Sequence, residues 1–188
     1  MSRIAPLTKP YPEAFAAAMT ALMRGAEPLV LFTTLARHER AWSKFSAGSL
    51  LDRNSPLSLR QREIVIDRTT AKCGCEYEWG VHVAGFAARA GLDDAQIAAT
   101  VRSDARDMVW SADEQALVGT VDALLDRKKL TDAEWARLRD HFDEAQSLEI
   151  IQLVAFYHGV ALICGALDLP LETNAARFPP ATEEGQLP

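Results

Sequence analysis

Apolar positions recur at three- and four-residue spacing from the N-terminal region to about residue 167. That is the period of helices with one buried face. No run alternates apolar and polar residues between turn signals, so no β-sheet is expected. The predicted fold class is all-α, with short connections between helices. Pro6, Pro10 and Pro12 mark an extended arm, with Pro12 at the opening position of a first helix. Phe15, Met19, Leu22 and Met23 form its apolar face to about Arg24, and Gly25 ends it. One further helix is expected from Pro28 through Leu31, Phe32, Leu35, Trp42 and Phe45.

Ser58 followed by Gln61 is a capping-box pattern. Ser111 with Glu114 and Thr131 with Glu134 repeat it. They open a helix through Leu117 to Leu125 and a short one with Trp135 and Leu138. Asp93 or Asp94 caps a short helix through Ile97 and Val101, and residues 102–110 read as a loop. Ser147 to Leu167 is hydrophobic nearly all round, which predicts a buried helix at a subunit contact. The tail from Pro170 is expected to be extended.

The chemistry concentrates between Arg62 and Gly91. Two helices should meet at Cys73-Gly74-Cys75, with Gly74 as the break and Gly91 as the C-terminal stop. On a wheel of about 100° per residue, Cys75, Glu78 and His82 share one stripe. Cys75 falls in the first turn, where free backbone N–H groups favour a thiolate. Glu78 and His82 are an i, i+4 pair, close enough for the carboxylate to orient the imidazole. Each feature has a commoner meaning: a lone cysteine is usually a small core residue, and such a Glu–His pair is usually solvated.

The segment resembles the carboxymuconolactone decarboxylase family, which includes alkyl hydroperoxidase D. The resemblance rests on Arg62-Glu63, Cys75-Glu76-Tyr77-Glu78-Trp79, His82, and Gly91-Leu92 before an acidic pair, with a core of about residues 35–120. It implies a single helical-bundle domain over residues 1–188, and members of that family usually show two related halves; Leu148-Glu149-Ile150-Ile151 faintly echoes Arg62-Glu63-Ile64-Val65. In the hydroperoxidase branch a Glu is followed by C-x-x-C-x-x-x-H. Glu63, Cys75 and His82 match, but Glu78 stands where the second cysteine would be. The resemblance also implies a trimer or hexamer.

Net charge is -6 over 188 residues, so a nucleic-acid partner is not expected. No uninterrupted apolar stretch of membrane-spanning length and no signal pattern stand out, which makes the cytoplasm the expected location. Three cysteines do not suggest a disulfide framework. No nucleotide-binding glycine motif is present, and no cofactor or metal is expected.

Three readings follow. In a thiol peroxidase, Cys75 attacks a hydroperoxide while Glu63, Glu78 and His82 handle protons. Cys73 is then the near candidate to resolve the oxidised sulfur, although a C-x-C disulfide is strained; an external thiol is the alternative. In an acid–base enzyme acting on a small carboxylated lactone, His82 transfers the proton, Glu78 orients it and Glu63 shapes the pocket. Tyr77 and Trp79 line that pocket or pack behind it. The third reading is a non-catalytic oligomeric helical module. Cys164 reads as plain core, His158 as a core histidine, and His38 and His141 as surface residues.

Overall fold

The computed structural model describes residues 2–102 and 108–180. Those residues form nine α-helices and no strand: α1 Glu13–Met23, α2 Val30–Leu35, α3 Glu39–Ala47, α4 Leu59–Lys72, α5 Glu76–Ala90, α6 Asp94–Arg102, α7 Ala112–Arg127, α8 Asp132–His141 and α9 Glu144–Leu167. Part of the expected 102–110 loop, residues 103–107, lies outside the described residues.

Helix α4 is the centre of the bundle. It packs against α5, α6, α7 and α9, and every residue from Glu63 to Thr70 is buried. Its polar side chains need partners there. The Thr69 and Thr70 hydroxyls donate to the Val65 and Ile66 carbonyls at 2.7 and 2.9 Å. Arg68 reaches Asp122 of α7 with a two-pronged contact at 2.8 and 2.9 Å and donates to the Thr100 carbonyl at 3.0 Å. Such bidentate pairing fixes direction as well as distance, so α4 is locked in rotation against α6 and α7.

Local signals set the helix ends. The boxes at Ser58–Gln61, Ser111–Glu114 and Thr131–Glu134 all form. Asp93, rather than Asp94, accepts from the Gln96 N–H at 2.8 Å. A fourth box, Asp143–Gln146, starts α9 three residues before the expected Ser147. Gly74 and Gly91 take left-handed φ values of +66° and +68°. That lets α4 fold back onto α5 and ends α5.

The expected single helix from Pro28 to Phe45 is instead two. His38 is extended, at φ -134° and ψ 115°, and separates α2 from α3. The break has a packing reason. Phe32 lies 5.5 Å from Trp42 and 6.2 Å from Phe45, centroid to centroid. In one straight helix those side chains would sit about 15–20 Å apart along the axis.

Helix α9 is also not buried all round. Ile150, Leu153, Tyr157 and Val160 are buried, while Leu148 and Leu162 are 62% and 63% exposed. By length and hydropathy it is the one described helix that could cross a membrane, contrary to the expectation of none. Its inner face nevertheless belongs to the core of the bundle. Glu149, the echo of Glu63, accepts from the Ser55 hydroxyl.

The tail runs back over α5. The Ala176 N–H donates to the Gly80 carbonyl at 3.0 Å, and the Phe178 N–H to Glu76 at 2.9 Å. The Phe178 ring lies 5.0 Å from that of Trp79.

Candidate functional site

The α4–α5 hairpin brings Glu63 and His82 face to face. Their Oε2 and Nδ1 atoms are 2.7 Å apart, and both side chains are buried. On the other side of the ring, Nε2 lies 3.5 Å from Glu78 Oε1. The imidazole is also walled by Phe86, stacked at 5.3 Å, and by Tyr157 of α9, edge-on at 5.1 Å. The sequence suggested Glu78 as the orienting carboxylate. The closer and better buried partner of His82 is Glu63. Burial alone would push the His82 pKa down; the hydrogen bonds and charges of Glu63 and Glu78 outweigh it and raise it to about 10. Near neutral pH the ring is an imidazolium and a proton donor.

Asp67 lies one turn beyond Glu63 on α4. Burial, with the Glu63 charge adding to it, raises the Asp67 pKa well above the usual carboxylate range; His82 opposes the shift. Neither of its oxygens has a hydrogen-bond partner among the described residues, nor have Glu63 Oε1 and Glu78 Oε2. Glu63, Asp67 and His82 place donor atoms within 4.8 Å of one another, a spacing that an ion could bridge. An imidazolium cannot ligate, so any cation there would have to displace the His82 proton.

Glu78 and His82 form the polar end of a cavity of about 280 Å³. Its walls are apolar, with Leu29, Phe32, Phe45 and Phe156 among them, and no Lys or Arg among the described residues lines it.

Cys75 is the N-cap residue of α5, one position before the expected first turn. It is buried and does not line the cavity. Its thiol pKa is lowered chiefly by a hydrogen bond from the Cys164 thiol of α9. Burial opposes that shift, the backbone N–H groups of Glu78 and Tyr77 reinforce it, and the Glu78 carboxylate opposes it. Cys164 keeps its proton, its pKa raised by the same contact and by burial. Cys73 moves the other way from Cys75: burial and the neighbouring Cys75 raise its pKa.

Tyr77 and Trp79 do not line the cavity, which leaves packing behind it as the other expected place. They leave α5 on the two flanks of Glu78, about 100° to either side, and their polar atoms find partners there. The Tyr77 hydroxyl donates to Glu172 and accepts from the Leu31 N–H, and the Trp79 indole donates to Thr100 at 2.9 Å. The structure therefore groups Glu63, Glu78, His82 and Cys75, and adds Asp67, Phe86, Tyr157 and Cys164. Asp67 carried a readable signal, an acid one turn from Glu63 directly after the apolar run Ile64-Val65-Ile66. His158 is half-buried, and His38 and His141 are exposed.

Residues 36–119, from the end of α2 into α7, match the carboxymuconolactone decarboxylase family. The fold is that of alkyl hydroperoxidase D-like helical proteins. A peroxidase-related protein from a Silicibacter species superposes with a TM-score of 0.78 at 18% identity, covering 94% of this chain and 97% of the other. A second, from Ralstonia eutropha, described as an alkyl hydroperoxidase D core, gives 0.78 at 16% identity, with 90% and 93% covered. A debrominase crystallised with 2,3,4-tribromopyrrole gives 0.76 at 13% identity, with 93% and 94% covered. No curated protein sequence matches the chain.

Proposed function

We propose that the chain is a thiol-dependent reductase of small, apolar hydroperoxides, with Cys75 as nucleophile. One observation carries this reading. The Cys75 sulfur is biased toward thiolate by the Cys164 thiol and two backbone N–H groups, one helical turn from the Glu78–His82 pair at the end of an apolar cavity. The thiolate attacks the terminal peroxide oxygen, the O–O bond breaks, and Cys75 becomes a sulfenic acid. The His82 imidazolium supplies the proton that the departing alkoxide takes up, with Glu78 between ring and sulfur and Glu63 holding the ring. The reductant is an external thiol. No Lys or Arg among the described residues lines the cavity, and its one cation, the His82 imidazolium, already faces Glu63 and Glu78; this argues against a carboxylated lactone, whose anion would enter an apolar chamber beside Glu78. Self-association through the exposed face of α9 belongs to the same reading.

A second reading has its own support: the cavity is lined by Glu78 and His82 and not by Cys75. Acid–base chemistry on an uncharged apolar carbonyl compound needs only those two residues.

The assay pairs Cys75→Ser and His82→Ala against cumene hydroperoxide with dithiothreitol, and against an uncharged lactone. In the thiol reading Cys75→Ser abolishes peroxide turnover, and His82→Ala lowers it about 10²–10⁴-fold. Peroxide turnover that survives Cys75→Ser removes the thiol mechanism. Lactone turnover that survives Cys75→Ser but not His82→Ala establishes the second reading.

A further inference from the structure

We infer that Cys164 of α9 is the resolving thiol, closing a disulfide with Cys75 after Cys75 has been oxidised. This rests on the thiol reading above and identifies the partner that it requires within the chain.

The register of α5 against α9 brings the two sulfurs together. The rings of His82 and Tyr157 meet at 5.1 Å. Seven residues before His82 stands Cys75, and seven residues after Tyr157 stands Cys164. Seven residues are two turns within about 20°, a rise of about 10.5 Å. Two helices that run antiparallel through the His82–Tyr157 contact therefore oppose Cys75 and Cys164 two turns away. The two thiols are close enough there to influence each other's ionisation, the proton staying on Cys164. Both residues are buried in one apolar cluster, so the pair is shielded from solvent.

Cys73 is placed worse. It is separated from Cys75 by Gly74 alone, and a C-x-C disulfide closes a small, strained ring.

The chemistry balances with two named co-reactants. Cys75 thiolate, a hydroperoxide and one proton give Cys75 sulfenic acid and an alcohol. The Cys164 sulfur then attacks the sulfenic sulfur. The S–O bond breaks, the hydroxide takes the Cys164 proton and leaves as water, and the S–S bond forms. An external dithiol restores both thiols and is itself oxidised to a disulfide. Before oxidation, Cys164 serves Cys75 as a hydrogen-bond donor that favours its thiolate, so one residue acts at both stages.

The test uses the full chain with cumene hydroperoxide, alkylation of free thiols under denaturing conditions, and non-reducing peptide mapping. Cys73 and Cys75 lie between the same basic residues, Lys72 and Arg89, so mapping is done on both wild type and Cys73→Ser. The expected result in both is a cross-link between the Cys75 and Cys164 peptides. A Cys73–Cys75 link, or sulfinic acid on Cys75 with Cys164 still alkylated, overturns the inference. Cys164→Ser should complete one turnover, accumulate a dimedone-reactive Cys75 and lose dithiol-driven cycling. Cys164→Ala provides the same readout if the serine variant does not fold. If the peroxide leaves Cys75 unoxidised, the peroxidase reading fails by itself. Diamide, which oxidises neighbouring thiols directly, then decides the pair: a Cys75–Cys164 cross-link upholds it and its absence rejects it.

Discussion

His82 Nδ1 and Glu63 Oε2 stand 2.7 Å apart inside the protein, joining α5 to α4 across nineteen residues of chain. Breaking one side of a buried ion pair leaves the other side uncompensated. We predict that Glu63→Gln lowers the His82 pKa from about 10 toward the free value near 6.5. It should destabilise the fold by about 3–5 kcal/mol. Imidazole titration by NMR and urea unfolding measure the two effects. An unchanged His82 titration would show that Glu78 alone sustains the charge.

The same pair sets a pH dependence of stability. The folded pKa of His82 is raised, so its contribution is fully present below about 6.5 and is lost as pH rises to about 10. The Asp67 pKa is also raised, mainly by burial. Folding therefore binds a proton at Asp67 at any pH between the unfolded value near 4 and the folded one. Asp67→Asn removes that requirement. Its stability relative to wild type should rise with pH by up to about 1.4 kcal/mol per unit over that window. Denaturant midpoints across the neutral range check this; a constant difference between the two proteins would mean that Asp67 is ionised in the fold.

How much of this was legible varies with the kind of signal. The capping boxes at Ser58, Ser111 and Thr131 and the glycines at 74 and 91 act within one turn, and each formed as expected. The break at His38 was not visible, because it exists to fold Trp42 and Phe45 back toward Phe32. The site divides the same way. Cys75, Glu78 and His82 lie near one another in the chain, and Glu63 came with the family pattern. Which carboxylate lies closer to His82 depends on how α4 docks on α5. Cys164 looked like ordinary core because its neighbour is 89 positions away, reached only through the α5–α9 register. Tyr77 and Trp79 adjoin Glu78 in sequence yet lie outside the cavity lining, because one residue is a 100° turn of the wheel.

The C-terminal arm depends on a missing side chain. A Cβ at Gly80 would overlap the Ala176 carbonyl oxygen, which is backbone and cannot swing aside. We predict that Gly80→Ala lifts the arm, breaks the Ala176–Gly80 hydrogen bond and separates Phe178 from Trp79. A net loss of about 1–3 kcal/mol is expected, as for other overpacked sites. Faster proteolysis after Arg177 and a change in tryptophan emission are the readouts. A variant with wild-type proteolysis would show that the arm adjusts locally.

Leu148, Ala155 and Leu162 recur every seven residues on the outer side of α9, all exposed in the single chain. We propose a second copy of the chain as the partner that covers this stripe. Light scattering should then give a multiple of 20.6 kDa, and Leu162→Glu should shift it toward the monomer with the helical circular dichroism unchanged. A wild-type monomer at micromolar concentration would refute the assembly.

Gly85 offers a way to block the cavity without touching the polar residues. It lies on α5 in the cavity wall, and a Cβ added there meets nothing within 4 Å. Alanine should therefore fit and, by removing a helix-interior glycine, stabilise the fold by about 1 kcal/mol. Leucine reaches further into a space of about 280 Å³ and competes with the substrate for it. The predicted result for Gly85→Leu is a fall in kcat/KM for cumene hydroperoxide, with Cys75 alkylation by a small reagent as fast as in wild type. That combination separates occupancy of the chamber from damage to the thiol. Should kcat/KM stay unchanged while the protein remains folded, the substrate reaches Cys75 by another route and the cavity is not its binding site.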